Sequence, residues 1–383
     1  MKLLIIVWSI GNNAGGIVAE RLISEILVRN NDALVLCNKN YSTSLPTDKV
    51  IEVNYGILSH NRIDKLLLTV TRKEWNGRSW IKQSQRVLNK LLGSFVPEIT
   101  LSITTAYGFR ILRLGYQICN DLRIPFAIHA LDPLPSPSEW GENAFLRKAI
   151  ISIIRPYFKR ASLISATNPV MLAYQLEVLR LHDKKKTIVI YNPSESIKNN
   201  INPPIEPRSF LYLGTLYNKR NPEKIIKAFR IIQKEEPEAK LYFIGDNRCP
   251  NLDIDPDDNA VYFIDWTNNP GEYVNRAGIL LDIDANHEND VFISSKLNNY
   301  LFFDRIILCV TPNSSPSSQL VKPLYGTVIT VPHDVESIYM GMKKAITKTL
   351  AGVNYSERII IREKLSGEAN AKKLLIGLST IVN

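Results

Sequence analysis

Short apolar runs alternate with amphipathic patterns of helical period along the whole chain, and this alternation predicts an α/β fold. In the first half, strands are predicted at 3–8, 33–37, 99–103, 125–129, 162–166 and 187–190, and helices at 16–29, 78–95, 108–121, 144–159 and 169–179. In the second half, strands are predicted at 209–213, 239–244, 260–264, 278–283, 306–310 and 327–330, and helices at 221–234, 270–276, 294–303, 316–321, 334–350 and 366–381. Such an order is typical of mostly parallel, doubly wound sheets.

The pattern stops and restarts once, which predicts two Rossmann-like domains. Residues 191–208 are rich in Pro, Asn and Ser and are interpreted as a linker. The predicted domains are 1–190 and 209–365, and the helix in 366–383 is expected to pack back on the first domain. Two doubly wound domains imply a cleft, and ligands of such sheets bind beyond the carboxyl ends of the strands.

Composition places the chain among folded globular proteins. Of its 383 residues, 45% are hydrophobic and 22% are charged. The four cysteines are far apart, so neither a zinc site nor a disulfide framework is indicated, and a reducing cytoplasm is the simplest location. Residues 3–7 are interpreted as a buried strand rather than a signal sequence, and no apolar stretch is long enough to cross a bilayer.

The net charge is +10, and the excess is uneven: between Arg62 and Lys90 there are eight basic residues and only two acids. Arg78, Lys82, Arg86 and Lys90 recur every fourth residue and therefore share one side of the predicted helix 78–95, next to Trp80 on its apolar side. Two interpretations fit equally: a surface helix packed on the core, or a basic amphipathic helix on an anionic membrane. Nucleic-acid binding is disfavoured because no reader motif accompanies the charge.

Two strand-to-helix edges of the second half carry cations suited to a phosphate. Ser294, Ser295 and Lys296 open a predicted helix after the strand that ends near residue 284. Gly214 and Thr215 end another strand, and Arg220 precedes the helix that follows it. Guanidinium groups bind diphosphates well, although capped strand-to-helix loops are also ordinary punctuation in α/β proteins.

Two edges of the first half hold polar or small residues. Gly15 and Gly16 follow the first strand, which allows a ligand to approach the backbone, but their spacing is not that of a dinucleotide fingerprint. His129 and Asp132 lie at the end of strand 125–129. A single histidine at a strand end is more often structural than catalytic.

Taken together, these segments resemble the large retaining family 4 of GT-B glycosyltransferases. The resemblance spans almost the whole chain and is carried by residues 213–223, followed by Leu-Tyr-Phe-Ile-Gly-Asp at 241–246, and by Ser-Ser-Lys-Leu-Asn-Asn-Tyr-Leu at 294–301. Gly15-Gly16, His129 with Asp132, and Asn192-Pro193 fall where the family has its glycine loop, its acceptor-side residues and its interdomain Asn-Pro.

The resemblance implies a metal-independent retaining hexosyltransferase that uses a nucleotide-diphosphate sugar as substrate and needs no cofactor. It implies a glycan or lipid-linked acceptor in cell-surface polysaccharide synthesis, on the inner face of the cell membrane. Arg220, Lys296 and His129 are the implied catalytic residues. The implied donor-binding residues are Gly214, Thr215, Arg220, Ser294, Ser295, Lys296 and Asn299. Gly15, Gly16, His129 and Asp132 are implied on the acceptor side.

The chain departs from the family where paired acids are expected. Val291 and Asn299 occupy those positions, and Glu288 is a candidate substitute for the first acid. A catalytically lapsed GT-B protein that acts as a scaffold is therefore the alternative, and a sugar-nucleotide epimerase is a weaker one. Asp282 and Asp284 form a D-x-D pair that could hold a metal, but it is interpreted as a strand terminus.

Overall fold

The computed structural model describes residues 1–11, 13–38, 43–54, 62–74, 77–181, 186–194, 206–249, 252, 258–267 and 269–382. The chain forms two compact units. Unit 1 comprises Met1–Ser194 and Lys364–Asn383, and unit 2 comprises Glu195–Glu363. Most of the predicted linker, residues 195–205, lies outside the described residues.

Unit 1 contains a parallel seven-stranded sheet with the order β3-β2-β1-β4-β5-β6-β7. Its strands are β1 (Leu3–Val7), β2 (Ala33–Asn38), β3 (Val50–Val53), β4 (Ile99–Thr104), β5 (Phe126–Ala130), β6 (Leu163–Ala166) and β7 (Lys186–Val189). Its helices are α1 (Ala14–Arg29), α2 (Arg62–Thr71), α3 (Arg78–Leu91), α4 (Phe109–Leu122), α5 (Ala144–Arg160) and α6 (Pro169–Val178).

Alternation along β1 explains how both faces of this sheet are covered. Leu3 and Ile5 point into an apolar cluster formed with α1 and the C-terminal helix Gly367–Val382, which belongs to unit 1. Leu4 and Ile6 point to the other face, against α3 and α4. Because successive side chains of a strand point to opposite faces, a continuous apolar run is the pattern of a strand buried on both sides.

Unit 2 contains a parallel six-stranded sheet with the order β10-β9-β8-β11-β12-β13. Its strands are β8 (Glu206–Leu213), β9 (Lys240–Ile244), β10 (Val261–Ile264), β11 (Ala277–Ile283), β12 (Ile306–Val310) and β13 (Val328–Val331). Its helices are α7 (Glu223–Glu235), α8 (Pro270–Arg276), α9 (Ser295–Tyr300), α10 (Pro316–Val321) and α11 (Val335–Ala351). The boundary between unit 2 and the last segment of unit 1 falls within helix α12 (Ile359–Leu365), after Glu363. Helix α13 (Gly367–Val382) follows and belongs to unit 1.

The two-sheet α/β architecture agrees with the sequence prediction, but several elements differ. Strand β3 and helices α2 and α12 were not expected from the sequence. Helix α3 ends at Leu91 instead of residue 95, because a turn containing the exposed Gly93 follows. Helix α9 ends at Tyr300 instead of residue 303, where the chain tightens into i to i+3 hydrogen bonds. Within the described residues, no helix has the length and hydropathy needed to cross a bilayer.

Candidate functional site

The carboxyl ends of β8 and β9 in unit 2 approach each other through two glycines. Gly214 and Gly245 have φ values of +127° and +123°, which favour glycine. The Gly214 amide donates to the carbonyl of Ile244 at 2.8 Å. A Cβ atom on Gly245 would lie 2.9 Å from the Gly214 carbonyl oxygen, and one on Gly214 would lie 2.4 Å from Cε of Lys296. Because Gly214 has no side chain, the Lys296 side chain can lie against it, and Gly245 lets the backbone of Gly214 approach closely.

Lys296 lies in the first turn of α9, and its ammonium group stands over an aromatic ring. The Nζ atom is 5.2 Å from the ring centroid of Tyr212, a cation–π distance. Burial and the nearby positive charge of Arg220 lower the pKa of Lys296 to about 7, against the opposing effect of Asp282 and Asp284. An anion bound here would favour the charged form.

Arg220 ends the short 3₁₀ turn Asn218–Arg220 that precedes α7, and it belongs to the same charge cluster as Lys296. Its guanidinium carbon is 5.6 Å from the ring centroid of Tyr217. Burial opposes its charge, but Tyr217, Tyr212 and the neighbouring aspartates hold its pKa above the ordinary value. Among the described residues, no partner accepts a hydrogen bond from its buried Nε atom. The guanidinium is therefore charged and retains an uncommitted donor.

The carboxylates of the D-x-D pair, Asp282 and Asp284, accept hydrogen bonds from side chains of the protein. Strand β11 ends at Ile283, between the two acids. Ser294 donates its hydroxyl to Asp282 at 2.8 Å, and Thr311 donates to Asp284 at 3.2 Å. Burial, with the charge of Asp284, raises the pKa of Asp282. In the described part of the chain, no group of three or more His, Cys, Asp or Glu side chains could hold a metal ion.

The other predicted donor-binding residues lie near Lys296 and differ in how deeply they are buried. Ser294 is buried and donates its hydroxyl to Asp282, so a donor contact at Ser294 would be made by its backbone amide, which stays a prediction. Ser295 and Asn299 are half-buried at the two ends of α9. The carbonyl of Thr215 accepts the Tyr212 hydroxyl at 3.1 Å. With only six residues in α9, its dipole is weak, so an anion here would depend mainly on side-chain charge.

The loop before α9 contains the position of the first missing acid, Val291, and Glu288, the residue suggested as its substitute. Val291 is buried, and Glu288, the predicted substitute, is exposed. Between them lies Asp290, which is buried; one of its carboxylate oxygens accepts hydrogen bonds from the amides of Val291 and Phe292. Its charge contributes to the raised pKa of Tyr217, whose ring lies against Arg220. Asp290, unlike the exposed Glu288, is therefore a buried acid of this loop that interacts with Tyr217.

In unit 1, the two predicted glycines open α1 in a confined space. Asn13 caps the helix by accepting the Gly16 amide at 2.9 Å, so this amide is committed within the protein. A Cβ atom on Gly16 would lie 2.4 Å from the carbonyl oxygen of Gly11. One on Gly15 would lie 2.9 Å from a methyl group of Thr105, at the end of β4. Close packing therefore accounts for both glycines.

His129 lies near the carboxyl end of β5, and Asp132 comes just after this strand in the unit 1 sheet. His129 is fully buried within β5, where its Nδ1 atom lies 3.0 Å from the Ser165 hydroxyl. Burial lowers the pKa of the imidazole to about 4, so the ring is neutral at physiological pH. Its buried Nε2 has no hydrogen-bond partner among the described residues. Asp132 accepts the Ala106 amide at 3.0 Å, and burial raises the pKa of its carboxyl.

The basic helix α3 packs its apolar side on the core and exposes its cations. Arg78, Lys82, Arg86 and Lys90 are all exposed on α3. Trp80 is 0% exposed and packs edge-on against Trp8, with ring centroids 5.4 Å apart. The prediction that Trp80 contacts a membrane surface is therefore wrong, because its ring is part of the core. The nearby Trp75 lies outside the described residues.

Sequence reasoning did not find the aromatic and acidic partners of the cations. Tyr212 and Tyr217 place their rings under Lys296 and Arg220. Tyr300 accepts the Leu213 amide at 2.8 Å, which ties α9 to the end of β8. Tyrosines at a strand end and before a basic turn were the available signals, but such residues are common in ordinary cores.

No protein-family model matches this sequence. No curated protein matches it either. Solved structures do: HepE of Anabaena in complex with UDP and glucose has a TM-score of 0.66 at 12% identity, over 99% of this chain and 100% of that chain. Sucrose-phosphate synthase of Thermosynechococcus elongatus has a TM-score of 0.65 at 11% identity, covering 99% of both chains. WaaG, a glycosyltransferase involved in lipopolysaccharide biosynthesis, has a TM-score of 0.60 at 12% identity, over 99% of this chain and 98% of that chain. The chain therefore has the two-domain GT-B fold that it shares with these glycosyltransferases.

Proposed function

We propose that this protein is a retaining glycosyltransferase that moves a sugar from a nucleotide-diphosphate donor to a glycan or lipid-linked acceptor. The paired cations Lys296 and Arg220 at one edge of the unit 2 sheet carry the proposal. The fold neighbour HepE was solved with UDP and glucose, and also with UDP-glucose, which supports a nucleotide-sugar donor. WaaG acts in lipopolysaccharide biosynthesis, which supports a cell-surface glycan as the product.

The cations fit the charge that develops in this reaction. The bond between the anomeric carbon and the diphosphate oxygen breaks, while the acceptor hydroxyl bonds to the same carbon and passes its proton to the departing diphosphate. Negative charge collects on the departing diphosphate, and fixed positive groups stabilise it without needing to reorganise. Lys296 and the Arg220 guanidinium would bind the diphosphate oxygens directly, so no metal ion is required in this proposal.

The remaining donor contacts follow from position. Asn299, near the end of α9, would bind a ribose hydroxyl through its amide. Gly214, Thr215 and Ser295 would line the path of the diphosphate next to Lys296, with Gly214 allowing close approach of the backbone.

On the acceptor side we assign His129 and Asp132, together with Gly15 and Gly16 in the first turn of α1. The neutral imidazole of His129 has an Nε2 atom without a partner among the described residues, suited to a hydrogen bond with a sugar hydroxyl. Asp132 and Gly15 lie at neighbouring strand ends of the same sheet, near Ala106 and Thr105 respectively.

The test combines donor binding with turnover. A panel of nucleotide sugars is screened by heat stabilisation and by release of the nucleoside diphosphate. Arg220→Ala and Lys296→Met should abolish stabilisation by UDP-type ligands and turnover, whereas Lys322→Met, an exposed lysine at the end of α10, should retain both. A wild-type protein that neither is stabilised nor turns over with any donor would refute the enzyme proposal and leave the lapsed scaffold.

The exposed cations of α3 carry a separate proposal, that this helix faces the anionic cytoplasmic surface of the cell membrane. Arg78, Lys82, Arg86 and Lys90 would contribute electrostatic attraction without inserting, about 1 kcal/mol per cation near such a surface. Arg86→Glu combined with Lys90→Glu should weaken flotation with anionic vesicles, and this effect should disappear at high salt. Unchanged flotation of this variant would contradict the proposal.

A further inference from the structure

Helix α2 turns most of its apolar side chains towards solvent. Ile63, Leu66, Leu67 and Val70 are 66%, 63%, 41% and 73% exposed. Leu68 is the buried residue of this helix. A surface helix of a globular protein normally buries its apolar stripe, so the orientation of α2 is the reverse of the usual one.

The exposed residues form one continuous stripe. Positions 63, 66, 67 and 70 follow the i, i+3, i+4, i+7 spacing of a single helical face. Helix α2 packs against α5, and Phe145 in the first turn of α5 is 75% exposed. Large contiguous apolar patches are rare on monomeric proteins and mark surfaces that bind a partner or a membrane.

The charges around the stripe indicate which partner fits it. Arg62, Lys65, Arg72 and Lys73 lie within or next to α2, and Asp64 is the acid among them. Later in the sequence, α3 adds four exposed cations. A second copy of this chain would bring the same cations against each other, which costs free energy. An anionic lipid surface complements both the cations and the apolar stripe.

We propose that α2 is an interfacial membrane helix, with Ile63, Leu66, Leu67 and Val70 inserted among the lipids of an anionic bilayer. The exposed cations between residues 62 and 73 would bind the lipid headgroups, although Lys65 also stands 5.5 Å from the Tyr107 ring centroid, and α3, whose Trp80 is buried, would act only through its charge. This proposal goes beyond sugar transfer and holds whether or not the protein is an enzyme.

The first test removes the apolar stripe without changing the charge. In Leu66→Ser combined with Val70→Ser, partition onto vesicles of phosphatidylglycerol and phosphatidylcholine should fall about a hundredfold, because each side chain contributes about tenfold. The matched control, Val28→Ser combined with Ile360→Ser, removes two equally exposed apolar residues elsewhere and should float like the wild type. Stabilisation by UDP should be the same in both variants, which separates this test from that of the proposed function.

The second test reports insertion directly. The four native cysteines are buried and free, so a single Leu66→Cys variant can be labelled selectively with an environment-sensitive fluorophore. The label should shift to the blue on anionic vesicles and be quenched by spin labels on the acyl chains, whereas a label on Val28→Cys should not respond.

Two results would overturn the proposal. One is wild-type flotation of the Leu66→Ser, Val70→Ser variant together with an unresponsive label at position 66. The other is a concentration-dependent dimer that this variant abolishes while the label ignores lipid, because the stripe would then be a contact between copies.

Discussion

The charge of Lys296 should make nucleotide binding depend on pH. Its pKa is lowered to about 7 by burial and by Arg220, so near neutral pH only about half of the free protein carries the charged ammonium. A bound diphosphate favours the charged form and raises this pKa. Binding above pH 7 therefore takes up a proton, and affinity must fall as the pH rises.

The size of the effect follows from the fraction protonated. With a pKa of about 7, the protonated fraction falls from about one half at pH 7 to about one hundredth at pH 9. If only protonated Lys296 binds the diphosphate and remains protonated when bound, affinity for UDP falls about fiftyfold over this range. That change is equivalent to about 2.3 kcal/mol of binding free energy.

Isothermal titration calorimetry with UDP between pH 6 and pH 9 measures this directly. Repeating the titration in buffers of different ionisation enthalpy counts the protons taken up, which should approach one per UDP at pH 8 to 9. Lys296→Met should bind weakly and without this pH dependence, while Lys322→Met should keep the wild-type profile. A wild-type affinity that does not change from pH 7 to pH 9, or a steep profile in Lys296→Met, would refute the assignment.

Three further outcomes are expected for stability. Gly214→Ala should destabilise the protein by about 1–3 kcal/mol in urea unfolding and weaken UDP binding, because residue 214 has a positive φ and the added Cβ would meet Lys296. The control Gly352→Ala also has a positive φ but lies in open space, so it should leave UDP binding unchanged. Burial lowers the pKa of His129 to about 4, so the folded protein favours the neutral ring, and this contribution to stability is complete above pH 6.5 and lost as the pH falls towards 4. Between pH 7 and pH 4, the free energy of unfolding of the wild type should fall by up to about 3 kcal/mol more than that of His129→Gln. Equal losses in the two proteins would contradict this. Arg358→Met should cost about 3–5 kcal/mol by thermal or urea unfolding, because it removes four hydrogen bonds from a buried site, and a loss below 1 kcal/mol would contradict that role.

Hydrophobic pattern predicted the fold well where strands are buried on both faces. The run Leu3–Val7 is continuous and apolar, and the run Ala277–Ile283 is apolar except for Asp282, so a strand buried on both faces follows from the composition of each run. Edge strand β3 (Val50–Val53) is only partly buried and contains a glutamate, which makes its pattern weak. Helix α2 was not predicted either, and an amphipathic pattern alone does not state which side of a helix faces the core.

The candidate site was predictable in its cations but not in what surrounds them. Lys296 and Arg220 could be placed because parallel strands end at one edge of a sheet. The Tyr212 and Tyr217 rings under them, and the commitment of Ser294 to Asp282, depend on side-chain packing over long sequence separations. Trp80 illustrates the same limit, since an aromatic residue on an amphipathic helix suits a membrane surface and a core equally well.

The two kinds of buried cation in unit 2 show why we assign Lys296 and Arg220 to function rather than to stability. Arg358 is fully buried, and its guanidinium donates to the carbonyls of Phe303, Arg305 and Thr327 at 2.7 to 2.8 Å, so its charge is used within the fold. Lys296 instead stands over the Tyr212 ring, and burial together with the charge of Arg220 lowers its pKa. A like-charged pair that is only partly compensated destabilises the folded protein, and a bound diphosphate supplies the missing negative charge. We therefore expect the free energy lost in folding these two cations to be recovered when the proposed donor diphosphate binds at this edge of the unit 2 sheet.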